Sequence, residues 1–518
     1  MLVLAKRLFI ACSLLVVSGC ATLQLNNLFQ DYASQFQPVR AALSQGNVAS
    51  AIQQVPKAHA GDTNYQLSLV EQGRLAFLQG DISQSRWWFE QSYQALETQR
   101  NRAKLKLGQG LERVNTLVTN DNAIAYQMPA YEQSMMHGYQ ALNYALAHDL
   151  EGALVEVRRA NQIQEAALVQ YEDELIEANA ERQNVDFSYL DNTMSALTSK
   201  AGQIKNGFQN AYTFYLSGIF YEAAGQLNDA YIDYKKALEI FPDNQYLQRD
   251  VLRLGSVLGM NNDLEYYTQQ LGKAYVNQLL STSVLGSDKG SEKVGKKVGE
   301  QNTKQGSLDQ KQGQLVVVYE QALIEAKQEQ AVRLPIWTSG GDPRFYSVSV
   351  PSYSKSYAKG HSKSYANTSD GNNSASSRAL ELQLGKETLT AETIVNLQAL
   401  VAKQLAESLP SIVSRQVLRL VAKEQVRRKL SKEGGDVGNI LAGLYNLASE
   451  RADTRSWLTL PGDVQIIKAD LPAGEHQLSF NRKNIAANDT MVTIAPNKIT
   501  LVVISEIGQV WQVKQAVL

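Results

Sequence analysis

The sequence predicts a mainly α-helical protein, an α-solenoid followed by a smaller α+β domain with an antiparallel sheet or sandwich. Three observations predict it. Over residues 22–283 proline is rare and apolar residues recur at spacings of three and four, which is typical of helices that bury one face. Beyond residue 314 apolar residues form short runs between turn residues, which is typical of strands. A length of 518 residues also exceeds what one hydrophobic core usually fills.

The composition excludes several classes of protein. A net charge of −1 argues against binding to a polyanion such as nucleic acid. A hydrophobic content of 44% with 24 tyrosines excludes a wholly disordered chain. Two cysteines cannot build a disulfide framework or a four-thiolate zinc site, and no two of the five histidines have zinc-ligand spacing. We therefore expect neither a metal nor a cofactor.

Residues 1–19 have the proportions of an export signal. Lys6 and Arg7 precede an apolar run, 8–19, which is shorter than the ~20 residues of a permanent transmembrane helix. The run ends Val-Ser-Gly before Cys20, and these four residues resemble a bacterial lipobox. The resemblance implies cleavage before Cys20 and lipidation of its thiol. Because Ala21 follows, it also implies sorting to the outer membrane, with the body in the periplasm. An ordinary secretory signal with a chance cysteine is the alternative.

Residues 20–283 are predicted to form a helical repeat domain, and residues 211–244 carry its clearest unit. This unit has small, aromatic and helix-ending residues at fixed places on two helices: Gly218, Tyr221, Gly225, Ala230, Tyr234, Ala237 and Pro242. The pattern resembles the tetratricopeptide repeat (TPR), a 34-residue helical hairpin. The resemblance implies that Gly218 lets the second helix approach and that Gly225 ends the first helix.

Weaker copies of the unit keep the 34-residue period. Gly46 and Gly80 are 34 residues apart, and His148 lies twice that distance beyond Gly80. Since one hairpin cannot bury its apolar face alone, the repeats are expected to stack. Residues 246–280 are expected to cap the stack.

A change of composition separates the two predicted domains. Residues 284–313 contain no aromatic residue and few apolar ones, which is typical of a flexible linker. Residues 314–518 are predicted to form a β-rich domain with two insertions. The first, 351–378, is low in complexity. The second, 390–450, is helical, with one helix ending and another starting at Pro410.

A basic stripe lies in the helical insertion. Arg415, Arg419, Lys423 and Arg427 recur every four residues, which places them on one helical face. They are candidates for contact with an anionic partner, namely lipid headgroups, peptidoglycan carboxylates or an acidic protein. An ordinary solvated helix face is the alternative.

Residues 451–457 combine Arg451, Asp453 and Arg455 with Trp457 where the helical insertion meets a strand. One interpretation is a polar site with the tryptophan as a platform. The other is an Asp–Arg pair that closes the helix end above a buried tryptophan.

The first helix of the clear repeat supplies a candidate partner groove. By analogy with the TPR family, Tyr212, Tyr215, Leu216 and Ile219 would line the concave surface. The family's clamp for a C-terminal carboxylate needs Lys, Arg and Asn, which are missing there. An apolar groove suits a helix or an extended segment of another protein. The alternative is that residues 165–205 cover these side chains.

The whole chain is similar to large, largely uncharacterised Gram-negative lipoproteins with TPR-like N-terminal halves. This resemblance rests on the lipobox, the repeats and the stretches 153–161 and 452–462. It implies location and architecture, not activity. The anchor, the repeats and the lack of a catalytic motif lead us to expect a non-catalytic outer-membrane scaffold for periplasmic or envelope proteins, and a regulator of cell-wall synthesis and an envelope-assembly factor are its two specific versions. A cell-wall-active enzyme with its site in the C-terminal domain is the alternative. The sequence does not determine the oligomeric state.

Overall fold

The computed structural model describes residues 31–107, 121–181, 187–281, 312–337, 343–354, 379–420, 451–482 and 485–518. Within these ranges the N-terminal half is helical and the C-terminal half is rich in strands, as predicted. The helices of the first half are α1 (Tyr32–Ser44), α2 (Val48–Gln54), α3 (Tyr65–Gln79), α4 (Ile82–Leu107), α5 (Ala130–Leu146), α6 (Leu150–Glu181), α7 (Asp191–Ala201), α8 (Ala211–Ala223), α9 (Leu227–Ile240), α10 (Gln245–Leu258), α11 (Asn261–Leu271) and α12 (Lys273–Ser281). No helix in these ranges is both long and apolar enough to cross a bilayer.

The 34-residue period is visible in the backbone. The turns inside successive hairpins contain Gly46, Gly80, His148, Gly225 and Gly259, and all five have positive φ. Gly259 lies 34 residues beyond Gly225, so α10 and α11 continue the hairpin pattern where the sequence predicted only a cap. The prediction of stacked helical repeats is confirmed in the described residues.

Close contact between the two helices of each hairpin requires a small residue. At Gly218 of α8, an added Cβ would lie 2.5 Å from the ring of Tyr234 on α9. Tyr234 itself is completely buried, as are Ala230 and Ala237 on the same helix. Helix α9 ends at Ile240, two residues before Pro242. Gly218, Ala230, Tyr234 and Ala237 of the repeat signature are thus packing residues, whereas Gly225 and Pro242 are exposed.

The strands of the second half are β1 (Gln312–Gln321), β2 (Gln328–Trp337), β3 (Pro343–Ser352), β4 (Glu381–Leu384), β5 (Glu387–Thr390), β6 (Glu392–Asn396), β7 (Asp463–Pro472), β8 (Gly474–Arg482), β9 (Ile485–Ile494), β10 (Ile499–Ile507) and β11 (Val510–Val517). A large sheet has the order β11-β10-β1-β7-β6, and a smaller one has the order β5-β4-β8-β9. Strand β1 is parallel to β10 and antiparallel to β7, whereas β2 and β3 form a separate hairpin.

The large sheet is covered on both faces. Leu315 and Val317 of β1 belong to a core shared with the smaller sheet, whereas Val316 and Val318 belong to the core that contains the helices. This alternation follows from the two-residue period of a strand. The helices and the large sheet therefore share one hydrophobic core.

The helical insertion differs from the sequence prediction. A strand, β6, occupies Glu392–Asn396, and one helix then runs over 397–420, which we name α13. It continues through Pro410 instead of ending there. Leu405, Leu409 and Val413 recur every four residues and are all buried. Burial of this stripe outweighs the roughly 3 kcal/mol that an interior proline costs.

Candidate functional site

The predicted partner groove lies in the protein interior. Tyr212, Tyr215, Leu216 and Ile219 are each at most 1% exposed. Tyr215 packs against Tyr234 of α9 with ring centroids 5.6 Å apart. No partner can reach these four side chains as they stand, so they serve as core.

The inner helices, α3, α5, α8 and α10, carry charged or polar residues that contact the large sheet. Arg74 of α3 forms an ion pair with Glu320 of β1 at 2.6 Å, and both side chains are fully buried. Tyr139 of α5 and Ser505 of β10 donate hydrogen bonds to the same carboxylate, at 2.8 and 2.7 Å. The guanidinium also lies 4.5 Å from the centre of the Tyr139 ring. We name Arg74, Glu320, Tyr139 and Ser505 the first buried cluster.

A lysine of the large sheet lies beside this cluster but forms no hydrogen bond with a carboxylate of the described residues. Lys514 of β11 is 8% exposed, and its ammonium lies 4.5 Å from the centre of the Phe77 ring. Its Nζ has no hydrogen-bond partner among the described residues. Burial, reinforced by the nearby Arg74 charge, lowers the pKa of Lys514 to about 7.

A second buried cluster joins α8 and α10 to β7. Lys468 of β7 lies 2.8 Å from Asp250 and 3.2 Å from Glu222, and Arg253 lies 3.0 and 2.7 Å from the same two carboxylates. Burial alone would raise the pKa of both acids. The two cations outweigh burial and hold the pKa of Glu222 and of Asp250 below its ordinary value.

The stretch around Trp457 lies against the inner helices α3 and α5. Glu71 accepts hydrogen bonds from the backbone N–H groups of Leu458 and Thr459, at 2.6 and 3.1 Å. Glu132 accepts one from the N–H of Trp457 at 2.9 Å. The indole ring is fully buried and packs against Phe89 and Tyr139. The helical array thus holds a non-helical segment of its own chain against its inner helices.

Burial has a large effect on the two acids that hold this segment. It raises the pKa of Glu71 to about 8, although the donors from Thr459 and Leu458 act in the opposite direction. It also raises the pKa of Glu132, against the donors from Trp457 and Tyr126. Both acids serve to bind backbone.

A cavity of about 390 Å³ brings together the basic stripe and the 451–457 stretch. It lies among the 124–129 loop, the β1–β2 connection, α13 and residues 453–455. Its lining is Ile124, Ala125, Tyr126, Gln127, Pro129, Lys327, Pro351, Gln404, Leu405, Ser408, Ile412, Arg415, Arg419, Asp453 and Arg455. Four of these side chains are cationic and one is a carboxylate.

The Asp453–Arg455 pair at the cavity edge and the buried Trp457 agree with the structural interpretation of this stretch, but the helix end that the pair was expected to close lies outside the described residues. Nε and Nη2 of Arg455 donate to the two carboxylate oxygens of Asp453 at 2.8 and 2.7 Å. Arg455 also donates to the carbonyl oxygen of Ile124 at 2.9 Å. The guanidinium holds the pKa of Asp453 below its usual range against the effect of burial. Asp453 is therefore a salt-bridged anion and is not placed to act as a proton donor.

The four residues of the basic stripe do not share one environment. Arg415 is exposed and donates to Ser411 at 2.7 Å, whereas Arg419 is 2% exposed. Both line the cavity, so the stripe is not simply a solvated helix face in its described part. Lys423 and Arg427 lie outside the described residues, as does Cys20.

Several polar residues of these clusters were not predicted from the sequence. Glu320 ends the apolar run 315–319, Lys468 interrupts the apolar strand 464–469, and Glu71 lies within an apolar helical stretch. A single charge inside an apolar segment is the signal that could have found them. Lys327 lies in a polar connection and gives no such signal.

The histidines form no metal site in the described part of the chain. There, no three His, Cys, Asp or Glu side chains come close enough together to hold a metal ion. His137 instead forms a buried pair with Glu156, with Nδ1 2.6 Å from the carboxylate.

Comparisons with known proteins give only distant likenesses. No protein-family model matches the chain, and no curated protein matches it. Among solved structures, MamA residues 41–end from Desulfovibrio magneticus RS-1 aligns with 12% identity and a TM-score of 0.26, over 48% of this chain and 96% of that one. MamA AMB-1 aligns with 12% identity and a TM-score of 0.25, over 48% and 90% of the two chains. Likenesses this distant carry no information about partners or activity.

Proposed function

We propose that this protein is a non-catalytic lipoprotein of the outer membrane that faces the periplasm and acts as a scaffold for envelope proteins. The observation that supports a scaffold most strongly is the pair of buried clusters, which fasten the inner helices to the large sheet. A helical array fixed in this way presents its remaining surface without rearrangement, and pre-organised surfaces lose little entropy on binding.

The outer helices, α4, α6, α9 and α11, supply the proposed contact surface. Each exposes at least one large apolar side chain: Trp87 (50%), Val155 (43%), Val169 (64%), Ile232 (50%) and Tyr266 (57%). Tryptophan and tyrosine are enriched at protein interfaces because they combine a large apolar area with a polar tip. The inner surface of the repeats is filled by the chain itself, so the outer helices are the repeat surface left for partners.

The hydrogen bonds and ion pairs made by the buried acids support a non-catalytic role. Asp453 is bound by both donors of Arg455, and Glu71 and Glu132 bind backbone N–H groups. A carboxyl group that acts as a general acid or base must be free to exchange a proton with the substrate. None of these three acids is placed to do so.

Photo-crosslinking in intact envelopes tests the scaffold. A benzophenone amino acid at Trp87 or at Ile232 should give discrete protein adducts. The same probe at Lys386, an exposed residue in the β4–β5 turn, serves as the control and should give none. Adducts at Lys386 alone would contradict contact through the outer helices.

Membrane fractionation tests the anchor separately. The unaltered protein should sediment with outer membranes, whereas the Cys20→Ala variant should remain in the membrane-bound precursor form or be released. Identical mass, processing and sedimentation of the two proteins would contradict lipidation at Cys20.

A further inference from the structure

Two buried cations lie beside the same aromatic ring where the inner helix α3 contacts the large sheet. The centre of the Phe77 ring lies 5.4 Å from the guanidinium carbon of Arg74 and 4.5 Å from the ammonium nitrogen of Lys514. Arg74 is fully buried, and Lys514 is 8% exposed. Lys514 belongs to β11, the edge strand of the large sheet. Both cations therefore lie in apolar surroundings near the border of the shared core.

Hydrogen-bond donors outnumber acceptors at this place. Nη2 of Arg74 donates to Glu320 at 2.6 Å, but Nε and Nη1 of Arg74 and Nζ of Lys514 have no hydrogen-bond partner among the described residues. The Glu320 carboxylate also accepts from Tyr139 and Ser505, so most of its capacity is used. The face of the Tyr139 ring attracts the guanidinium but is only a weak hydrogen-bond acceptor. Buried polar atoms without a partner indicate a place where a water molecule or an ion binds.

The charges at this place do not balance either. The charged groups of the described chain that act on Lys514 are Arg74 and Glu320. Burial and the Arg74 charge disfavour the ammonium form of Lys514, and Glu320 offsets them only in part. The same Glu320 carboxylate is the charge that acts most strongly on Arg74. When Lys514 is protonated, two positive charges therefore share one negative charge.

A single acceptor with one negative charge would correct both deficits. A water molecule accepts hydrogen bonds, but it carries no charge and has to donate its own two hydrogens as well. A doubly charged phosphate would reverse the excess of charge. A halide ion only accepts, carries one charge and is little larger than a water molecule. In an interior that screens charges weakly, it would interact strongly with both cations.

We propose that a chloride-sized monovalent anion binds between α3 and β11, where it accepts hydrogen bonds from the Lys514 ammonium and from the Arg74 nitrogens that Glu320 leaves unbound. The site goes beyond the proposed scaffold function, because it needs no protein partner. The bound anion fastens the edge strand β11 to α3, as Glu320 fastens β1 to the same helix. The stability of the helical array then depends on the halide concentration.

Binding of this anion is coupled to the protonation of Lys514. Since the pKa of Lys514 is lowered to about 7 without the anion, the ammonium form dominates at pH 6 and the neutral amine at pH 9. Arg74 from α3, Glu320 from β1 and the phenol of Tyr139 from α5 are the other ionisable groups of this place. An anion favours the ammonium form, so it raises the pKa of Lys514 and binds more tightly at pH 6.

Urea denaturation of the full chain in a non-ionic detergent tests the proposal. Sodium chloride or sodium bromide replaces sodium gluconate, whose anion is much larger, at a constant ionic strength of about 0.15 M. At pH 6 either halide should lower the equilibrium constant of unfolding at least about fivefold relative to gluconate, because only the folded state binds it. At pH 9 the effect should be less than about twofold. No halide effect at pH 6, or an equal effect at both pH values, would overturn the proposal.

Variants locate the halide effect at Lys514. Lys514→Met should abolish the difference between chloride and gluconate at pH 6. Lys498→Met, at an exposed lysine in the β9–β10 turn, is the matched control and should retain the difference in full. A circular-dichroism melt checks that each variant is folded. A halide effect of unchanged size in folded Lys514→Met would place the anion elsewhere and overturn the proposal.

Diffraction from crystals grown in sodium bromide gives a readout that needs no variant. An anomalous peak between Lys514 and Arg74, together with the halide effect on stability, supports the site. A peak there without any effect on stability would mean an adventitious ion only and would overturn the proposal, as would density at that place without an anomalous signal.

Discussion

The inner and the outer helices come from the same repeat but use their charged residues differently. On the inner helices, Arg74 and Asp250 are fully buried and each faces an opposite charge on the large sheet. On the outer helices, Lys235 and Asp263 form a pair whose side chains remain about one-third exposed. Removal of one residue of a buried ion pair leaves the other charge uncompensated in the protein interior. At the surface, water solvates the charge that remains. The comparison shows that the contribution of a charged residue to stability depends on whether it lies on an inner or an outer helix.

The largest effect is expected from Glu320→Gln. The substitution keeps the shape of the side chain but leaves the buried Arg74 guanidinium without a counter-charge. We expect a loss of about 3–5 kcal/mol in the free energy of unfolding, measured by urea denaturation. Adding Arg74→Met to this variant should recover part of the loss. A loss below about 1 kcal/mol would show that the first buried cluster does not hold the sheet to the helices.

Gly218→Ala tests the packing between an inner and an outer helix. The new methyl group would lie 2.5 Å from the Tyr234 ring, so one helix has to move. We expect a loss of about 1–3 kcal/mol in the same assay. Gly462→Ala is the control, since the backbone of Gly462 is not left-handed and an added Cβ would meet its nearest neighbour at an ordinary 3.5 Å. A loss at Gly218 no larger than that at Gly462 would contradict close helix contact.

Lys514→Met is expected to stabilise the protein in a pH-dependent way. The pKa of Lys514 is lowered to about 7 in the folded state, below its ordinary value of 10.5. Between pH 7 and 10.5 the unfolded chain therefore binds more protons, and the wild-type lysine becomes less unfavourable as the pH rises. The variant should gain roughly 1–2 kcal/mol at pH 6 and progressively less towards pH 10.

The stabilities of variant and wild type at pH 6, 8 and 10 check this prediction. Lys498→Met, an exposed position, is the control and should show no such trend. A gain that grows with pH would contradict the burial of a charged ammonium beside Arg74.

The smallest effect is expected from Asp263→Asn on an outer helix. Asp263 lies 2.7 Å from Lys235 and accepts a hydrogen bond from Tyr231. Lys235 and Tyr231 hold its pKa below the ordinary value, so its contribution is present at neutral pH and is lost as the acid is protonated. We expect a loss of less than about 1 kcal/mol that shrinks further in 1 M salt. A loss of stability as large as that caused by Glu320→Gln would contradict the difference between the inner and the outer helices.

Local patterns in the sequence carry most of the fold. The 34-residue spacing of Gly46, Gly80 and His148 predicts the hairpins because a turn residue with positive φ is a local requirement. The pairing of β1 with β10 could not be predicted in the same way, since partners about 185 residues apart leave no local mark. The continuation of α13 through Pro410 was also missed, because burial of its apolar stripe depends on tertiary contacts.

The candidate site was predictable only in part. The spacing of Arg415 and Arg419 indicates one helical face, and both do line the cavity. Lys327 and Tyr126 reach it from other elements, so only the tertiary fold brings them there. The aromatic residues Tyr212 and Tyr215 suggested a groove, but an apolar helix face looks the same in sequence whether a partner or the chain's own core covers it.

Hydrogen exchange measured by mass spectrometry tests the central claim, which is that helices and large sheet form one body through their buried charges. Peptides covering α3 and β1 should exchange with the same high free energy of opening in the unaltered protein. Glu320→Gln should lower that free energy in both peptides together. Independent opening of β1 while α3 stays protected, in either protein, would contradict the account.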